Sequence, residues 1–293
     1  MSEWAAVVVN YNSGELLERC VASVLADDSA GPVELVVVDN DSSDDSLAQM
    51  RRAHPEVVVL RPGANLGYSR ASNLGIAATR APLVAVLNPD LELTRGTAAS
   101  LRARFDADPG LGAAGPRLTN PDGSTYPSAR SMPRLSDAVG HGLLGRIRPS
   151  NPATRRYRQL DADPDVARAV DWVSGAAIWL RRPALDAVGG WDEGYFMYVE
   201  DVDLCWRLRR AGWGIAYEPG GHALHVQGVS TARHPYRMII EHHRSLLRFA
   251  RKRFRGPRSV LLVFAAPYLA LRACIELATH ALEGRPDAPR VGG

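Results

Sequence analysis

Four short apolar runs, with stretches apolar at helical spacing between them, constrain this chain more than any other feature. The runs are Ala5 to Val9, Leu35 to Val38, Val57 to Leu60 and Leu83 to Leu87. The intervening patterns are Leu16 to Leu25, a segment opening after Asp44, and roughly Arg70 to Thr79. Runs so short and continuously apolar are of the kind buried on both faces of a sheet. Strands alternating with helices predict an α/β fold with a doubly wound parallel sheet flanked by helices, whose ligand crevice opens beyond the carboxyl ends of the strands.

Those ends are where the polar residues gather. The first run empties into Asn10-Tyr11-Asn12-Ser13-Gly14 and the second into Asp39-Asn40-Asp41-Ser42-Ser43-Asp44-Asp45. An acid closing the second strand of such a sheet is the usual partner of a base or ribose, so Asp39 is a candidate nucleotide contact; capping of the next helix falls to Ser42, Ser43 and Asp44. The first turn lacks Gly-x-Gly-x-x-Gly, which argues against a dinucleotide-linked oxidoreductase, and there is no Gly-Lys-Ser phosphate loop. A diphosphate bound here would need another neutralising group. After the fourth run, Asn88-Pro89-Asp90 and Glu92 supply carboxylates for a hard cation, with a plain solvated turn as the competing reading.

The second half predicts a helix over about 96–107, a strand near 112–116, an apolar strand over 173–180, a helix over 200–211 and a last strand over 215–217. Between 118 and 171 regularity fades in a stretch rich in Pro, Gly, Ser and Arg, which reads as a region lining a site. Trp191 and the aromatic residues after it precede three acids, Glu200, Asp201 and Asp203. A helix start favours carboxylates, which accounts for Asp203, and Asp201 is the expected general base. His225, in a His-x-x-His-x-x-Gly loop with His222, is a candidate metal ligand against an equally weighted structural role.

The remainder of the sequence bounds the setting. Three widely spaced cysteines suggest neither a disulfide framework nor a Cys-rich zinc site, and with no basic leader before Trp4 the expectation is a cytoplasmic protein. Lys252 is the only lysine, for which a GC-rich genome is the plain cause. Residues 1–232 carry 23 basic and 28 acidic side chains, residues 233–293 carry 12 and 4, so the tail is the basic part. It divides into a basic amphipathic helix over 234–256 and an apolar block, Val260 to Leu271. That block is too short to span a bilayer and contains Pro267. A peripheral membrane contact on the inner face and a packed helix pair or homodimer contact are the two readings. No nucleic-acid partner is expected. The expected organisation is a domain over 1–232, with two halves (1–117 and 118–232), and a tail over 233–293; by the resemblance described next, the first half would take a nucleotide sugar and the second an acceptor.

Several motifs together resemble the family 2 glycosyltransferases with a GT-A fold. They are Val7-Val8-Val9-Asn10-Tyr11-Asn12, the run Val36 to Ser43, Asn65-Leu66-Gly67-Tyr68 with Asn73, Leu87-Asn88-Pro89-Asp90, and Gly190-Trp191-Asp192 with Phe196 through Leu204. Within the family, Pro121-Asp122-Gly123-Ser124, Tyr126 to Arg130 and Asn151-Pro152-Ala153-Thr154 with Tyr157-Arg158-Gln159 are similar to actinobacterial enzymes that add L-rhamnose to decaprenyl-diphospho-N-acetylglucosamine. The resemblance implies a GT-A sheet, an inverting transfer, a dTDP-sugar donor, a polyprenyl-diphosphate-linked acceptor and a divalent metal, Mn²⁺ or Mg²⁺. It implies Asn10, Asp39, Asn65, Asn73 and Asn88 as nucleotide contacts, Asp90 and His225 as metal ligands and Asp201 as the base. Glu92, Glu200, Arg130 and Trp191 are further site candidates. Asn88 departs from the family's Asp-x-Asp pattern, since an amide binds cations poorly.

Overall fold

The computed structural model describes residues 2–132, 151–226 and 235–283. The alternating pattern forms as expected: β1 (Trp4–Asn10), α1 (Leu16–Ala26), β2 (Val33–Asp39), α2 (Ser46–Ala53), β3 (Val58–Leu60), α3 (Tyr68–Ala77) and β4 (Leu83–Leu87). These strands are parallel in the order β3-β2-β1-β4. The chain winds outward from β1 to β3 and then returns to the other side of β1, so a crevice opens beyond the ends of β1 and β4. Trp4, Ala6 and Val8 enter one core and Ala5, Val7 and Val9 the other. Burial on both faces is why the strand reads as an unbroken apolar run.

The second half adds β5 (Leu91–Leu93), α4 (Thr97–Ala107), β6 (Leu111–Thr119), β7 (Thr125–Tyr126), β8 (Ala129–Arg130) and α5 (Pro152–Arg158). Then come β9 (Arg168–Ala169), β10 (Trp172–Val173), β11 (Ala177–Arg181), α6 (Arg182–Ala187), α7 (Glu200–Arg210) and β12 (Gly214–His225). The sheet continues from β4 through β11, β6 and β12 to β5, while β8 and β10 pair separately. β11 is antiparallel to both β4 and β6, and β5 to β12. The sheet is therefore mixed rather than wholly parallel, because a strand buried on both faces reads alike in either direction.

Three expectations change. The run 173–180 is two strands, broken at Ser174-Gly175-Ala176. The last strand is twelve residues rather than three, continuing past Tyr217 through a register shift between Glu218 and His222. Its Gly221 lies where a Cβ would stand 2.2 Å from Leu101 Cδ2 of α4, so glycine there reflects close packing, not a turn. The stretch 118–171 holds short elements, with 133–150 outside the described residues.

α8 (Pro235–Arg253) and α9 (Leu262–Glu283) complete the chain. Lys252 Nζ lies 2.7 Å from Asp203 and also pairs with Asp192, to which Arg248 donates at 2.8 Å. Ser245 Oγ donates to Met197 O at 2.9 Å, and Phe249 packs edge-on to Trp206. α8 thus belongs by contact with the domain before it, although its charge set it apart at residue 233. Asp203 is fully buried, held also by Arg207 at 2.7 Å; it ties α7 to α8 instead of merely capping a helix. α9 lies along α8, with Tyr236 edge-on to His280. Its other side leaves Val263, Phe264, Leu271 and Leu282 exposed. The apolar block expected at 260–271 is part of a helical stretch over Gly256–Leu282 that is long and apolar enough to cross a membrane, with none of it buried.

Candidate active site

At the crevice, the ends of β1 and β2 are locked together. Asn10, fully buried, donates from Nδ2 to Asp39 Oδ1, Ser42 Oγ and Ser46 Oγ, each at 3.0 Å, and accepts from Ser13 Oγ at 2.5 Å. Asn12 Oδ1 accepts from the Ser43 and Asp44 amides. Asp44 Oδ1 in turn accepts from the Ser46 amide at the start of α2, so Ser42 and Ser43 serve the β1 loop and not the helix cap. Asp39 keeps Oδ2 buried, 3.5 Å from Arg61 Nε. Asn65 Oδ1 accepts from Asn40 and from the Gly67 amide, shaping a loop that docks on the 196–198 segment through Tyr68 N to Phe196 O at 2.8 Å. Gly67 has φ +80° and faces Phe196 so closely that a Cβ would lie 2.5 Å from its carbonyl.

Across from this network, β5 pairs antiparallel with the end of β12, and the Val226 amide donates to Asp90 O at 3.0 Å. That pairing brings His225 Nε2 to 3.3 Å from Asp90 Oδ1. Asp90 Oδ1 and His225 Nδ1 are both buried without a hydrogen-bond partner, and Tyr126 stacks edge-on against the imidazole.

The acids lie on a third element. Tyr198 (φ +69°) and Val199 (φ +67°) turn the chain in the left-handed region just before α7, an uncommon conformation for a β-branched residue. The turn aims Glu200 and Asp201 into the cleft. Asp201 Oδ2 accepts from the Gly175 amide at 2.9 Å, supplied by the break between β10 and β11, and Oδ1 from the Val202 amide at 2.8 Å. Burial, then the Asp201 charge, pushes the Glu200 carboxyl up. Burial also raises Asp201, against the two amides and the Arg130 charge, which lower it. Arg130 sits 4.8 Å from the Trp172 ring centre and 5.9 Å from those of Tyr126 and Tyr157.

Asn88, Asp90, Arg130, Glu200, Asp201 and His225 line one cleft of about 450 Å³. Asn65 lines a smaller recess of about 60 Å³ on the β1 side, which shares Val9, Tyr68 and Met197 with the cleft. Asn10 and Asp39 lie buried at the strand ends beside it. Four candidates are not brought in. Glu92 points along β5 to Arg19, at 2.5 Å. Asn73 uses both ends of its amide on the backbone of Trp191, and Trp191 is itself buried edge-on against Tyr68. His222 is held between Thr94 and Thr119, and burial lowers its pKa.

Sequence reasoning missed the aromatic box of Tyr126, Tyr157 and Trp172, and the cleft residues His242, Leu246 and Phe249 of α8. A signal for Leu246 and Phe249 was present, as an apolar stripe on a helix otherwise read as tail.

A buried carboxylate–imidazole pair and two carboxylic acids lining one cleft, with a small polar recess at the end of β1 opening beside it, form an arrangement that suits group transfer. The sequence profile of glycosyl transferase family 2 matches residues 5–167, more than half of the chain, and the chain belongs to that family of glycosyltransferases. It is 40% identical over 261 residues to the N-acetylglucosaminyl-diphospho-decaprenol L-rhamnosyltransferase of Mycobacterium tuberculosis, covering 85% of this chain and 84% of that protein. Among solved structures, the fold is similar to the mannosyltransferase PcManGT from Pyrobaculum calidifontis in complex with GDP-Man and Mn²⁺. The TM-score there is 0.57 at 20% identity, over 96% of this chain and 76% of the other. It is also similar to GalNAc-T7 with UDP, GalNAc and Mn²⁺, at TM-score 0.57 and 16% identity over 76% and 43%. Both show the GT-A-like fold.

Proposed function

We propose that this glycosyltransferase moves L-rhamnose from dTDP-L-rhamnose to a polyprenyl-diphospho-GlcNAc acceptor, with inversion and with a divalent cation, Mn²⁺ or Mg²⁺. The observation that carries the reading is the 40% identity to the mycobacterial enzyme across 85% of the chain. The cleft supports it: Asp201 and the Asp90–His225 pair share one wall-to-wall space.

Asp90 and His225 would hold the cation. Asp90 Oδ1, buried 3.3 Å from His225 Nε2 and without a hydrogen-bond partner, is an orphaned carboxylate oxygen of the kind a hard cation takes. Among the described residues no group of three His, Cys, Asp or Glu is gathered there, so Asp90 and His225 would be the ligands supplied by this chain. When bound, the ion supplies charge stabilisation to the departing diphosphate. Asp39, Asn65 and Asn88 fix the nucleotide on the β1–β4 side, and Asn10, its amide spent, acts one step back by holding Asp39. Asn73 acts one step back, by holding the Trp191 loop.

Asp201 then receives the proton of the acceptor hydroxyl as that oxygen bonds to the anomeric carbon and the carbon–phosphate oxygen bond breaks. The leaving dTDP takes the electron pair. One displacement inverts the centre, so a β-linked donor gives an α-rhamnoside. Burial raises the affinity of Asp201 for that proton, while the Gly175 and Val202 amides hold the carboxylate oriented.

The extension completes the reading. We assign α9's exposed apolar side and the basic residues around it to an anionic membrane surface on which a polyprenyl acceptor resides, each nearby Lys or Arg contributing about 1 kcal/mol. Binding to anionic liposomes should weaken as salt rises; a salt-insensitive dimer joined through α9 would replace this assignment. For the reaction, the protein with Mn²⁺ and a short polyprenyl-diphospho-GlcNAc is offered a panel of nucleotide sugars. Turnover of dTDP-L-rhamnose is expected; turnover of only UDP-GlcNAc or UDP-galactose would overturn the donor.

A further inference from the structure

Beyond Tyr126 the cleft opens into a third cavity of about 280 Å³, between β7–β8 and α5. It shares Tyr126 with the main cleft and no residue with the nucleotide-side recess. Arginines cluster around it, and most are spent. Arg168 donates to Gln159 and to the carbonyls of Asp163 and Val166; Arg117 pairs with Asp165 and Arg155 with Asp161. Arg158 differs. It lines the cavity half-buried, its Nε is buried without an acceptor, and no carboxylate among the described residues lies within ion-pair distance of it. Arg130 stands at the junction, its Nε on Pro127 O at 2.7 Å, likewise with no carboxylate in ion-pair reach. Burial and the nearby Arg130 charge both push the Arg158 guanidinium down.

Arg130 lies 5.9 Å from the ring of Tyr126, the residue the two cavities share, so two half-buried guanidiniums border one aromatic side chain, neither in an ion pair with a described carboxylate, which is unfavourable on its own. A chain that keeps both there gains only if an anion joins them, and planar guanidiniums suit phosphate oxygens. The anion in this chemistry is a diphosphate, borne by donor and acceptor alike. The location separates the two sources: the nucleotide recess is reached through Val9, Tyr68 and Met197, whereas Arg158 lies past Arg130, the cation that acts on Asp201. We propose that Arg130 and Arg158 form a cradle for the diphosphate of the acceptor, one sugar away from the hydroxyl that Asp201 deprotonates. This rests on the acceptor class given above. It assigns recognition of the acceptor's phosphates to the protein surface next to the base, independently of the lipid chain.

The test compares wild type with Arg158→Gln and Arg158→Lys. Calorimetry without donor would use inorganic pyrophosphate, a short prenyl-diphospho-GlcNAc, an uncharged alkyl glycoside of GlcNAc, and dTDP. Arg158→Gln is expected to weaken the first two about tenfold, leave the glycoside and dTDP unchanged, and raise KM for the diphospho-acceptor with kcat nearly constant; Arg158→Lys should recover part of the loss. Equal weakening of all four ligands, loss confined to dTDP, or no change would overturn the cradle. Should the wild type turn over no diphospho-acceptor while Arg158→Gln still loses pyrophosphate and prenyl-diphospho-GlcNAc, the cradle stands and the proposed reaction falls. With turnover intact and no Arg158 effect on any ligand, the reaction stands and the cradle falls.

Discussion

The two walls of the cleft are built on opposite principles. On the β1–β2 wall nearly every polar atom is already committed: Asn10 spends its amide on Asp39, Ser42, Ser46 and Ser13, and Asn12 spends its oxygen on the next loop. On the facing wall polar groups are buried and short of partners, Asp90 Oδ1, His225 Nδ1 and Glu200 Oε2, whereas the first wall leaves Asp39 Oδ2 so. A satisfied network is rigid and presents a fixed shape; an unsatisfied one stores the cost of desolvation until a ligand relieves it. The first suits holding a nucleotide, the second suits reacting groups. The positive φ values of Tyr198 and Val199 lie on the second wall, consistent with strain concentrating where chemistry is done.

This contrast can be broken experimentally. Asp201→Asn should cost the most, a fall in kcat of at least about 10³-fold with the nucleotide still bound, because it removes the proton acceptor without altering shape. Retained transfer would move the base elsewhere on that wall. Asp90→Ala should lower kcat/KM roughly 10²-fold and abolish the EDTA sensitivity of dTDP binding, with thermal stability little changed because its buried oxygen loses only the 3.3 Å contact with His225. A protein equally EDTA-sensitive after the substitution would remove Asp90 from the metal site.

The satisfied wall should respond in the opposite currency. Asn10→Ala is expected to cost about 2–3 kcal/mol of stability in denaturant titration, since it strands buried partners, with a smaller effect on turnover. A large kinetic loss at unchanged stability would mean that Asn10 is not locked. The smallest effect is on pH dependence. With Asp201 raised by burial, activity should fall on acidification above the ordinary carboxylate range, because the base takes up its proton earlier. Arg130 lowers that value, so Arg130→Gln should carry the acid limb to still higher pH; movement to lower pH would contradict the assigned pairing.

How much of this was legible beforehand differs by wall. The β1–β4 half was readable because its strands are apolar on both faces and its helices carry a regular stripe, patterns that local burial imposes. Asp90 and Asp201 were legible as acids where strand or helix meets loop. Glu92 misled because alternation would send it to the same side as Asp90, two residues earlier; Asp90, however, lies in the turn ahead of β5, and only Glu92 follows the strand's pleat, which brings it to Arg19. The full length of β12 was hidden by Gly220-Gly221, which reads as a turn until α4 is seen packed against it.

Lys252 shows the same divide. As the chain's only lysine it carried no meaning in the sequence, yet with Arg248 it clasps Asp192 and Asp203 and seats α8 on the cleft. Burial pushes Asp192 up, but its bonds to Arg248, Lys252 and the Gly194 amide outweigh this and hold it well below the usual carboxylate range. That contribution to stability is present above the ordinary carboxylate pKa and lost only as pH falls through the lowered value.

The sequence by itself determined the strand–helix alternation, the α/β class and the acids at the strand ends, because these follow from short-range periodicity and from residue chemistry. Tertiary structure alone decided that β11 runs antiparallel, that His225 meets Asp90, that α8 lines the cleft, and that Arg130 and Arg158 border the cavities meeting at Tyr126 with no ion pair to a described acid. Each of those joins residues distant along the chain, and no periodicity in a single chain encodes which distant partner will neutralise, or fail to neutralise, a buried charge.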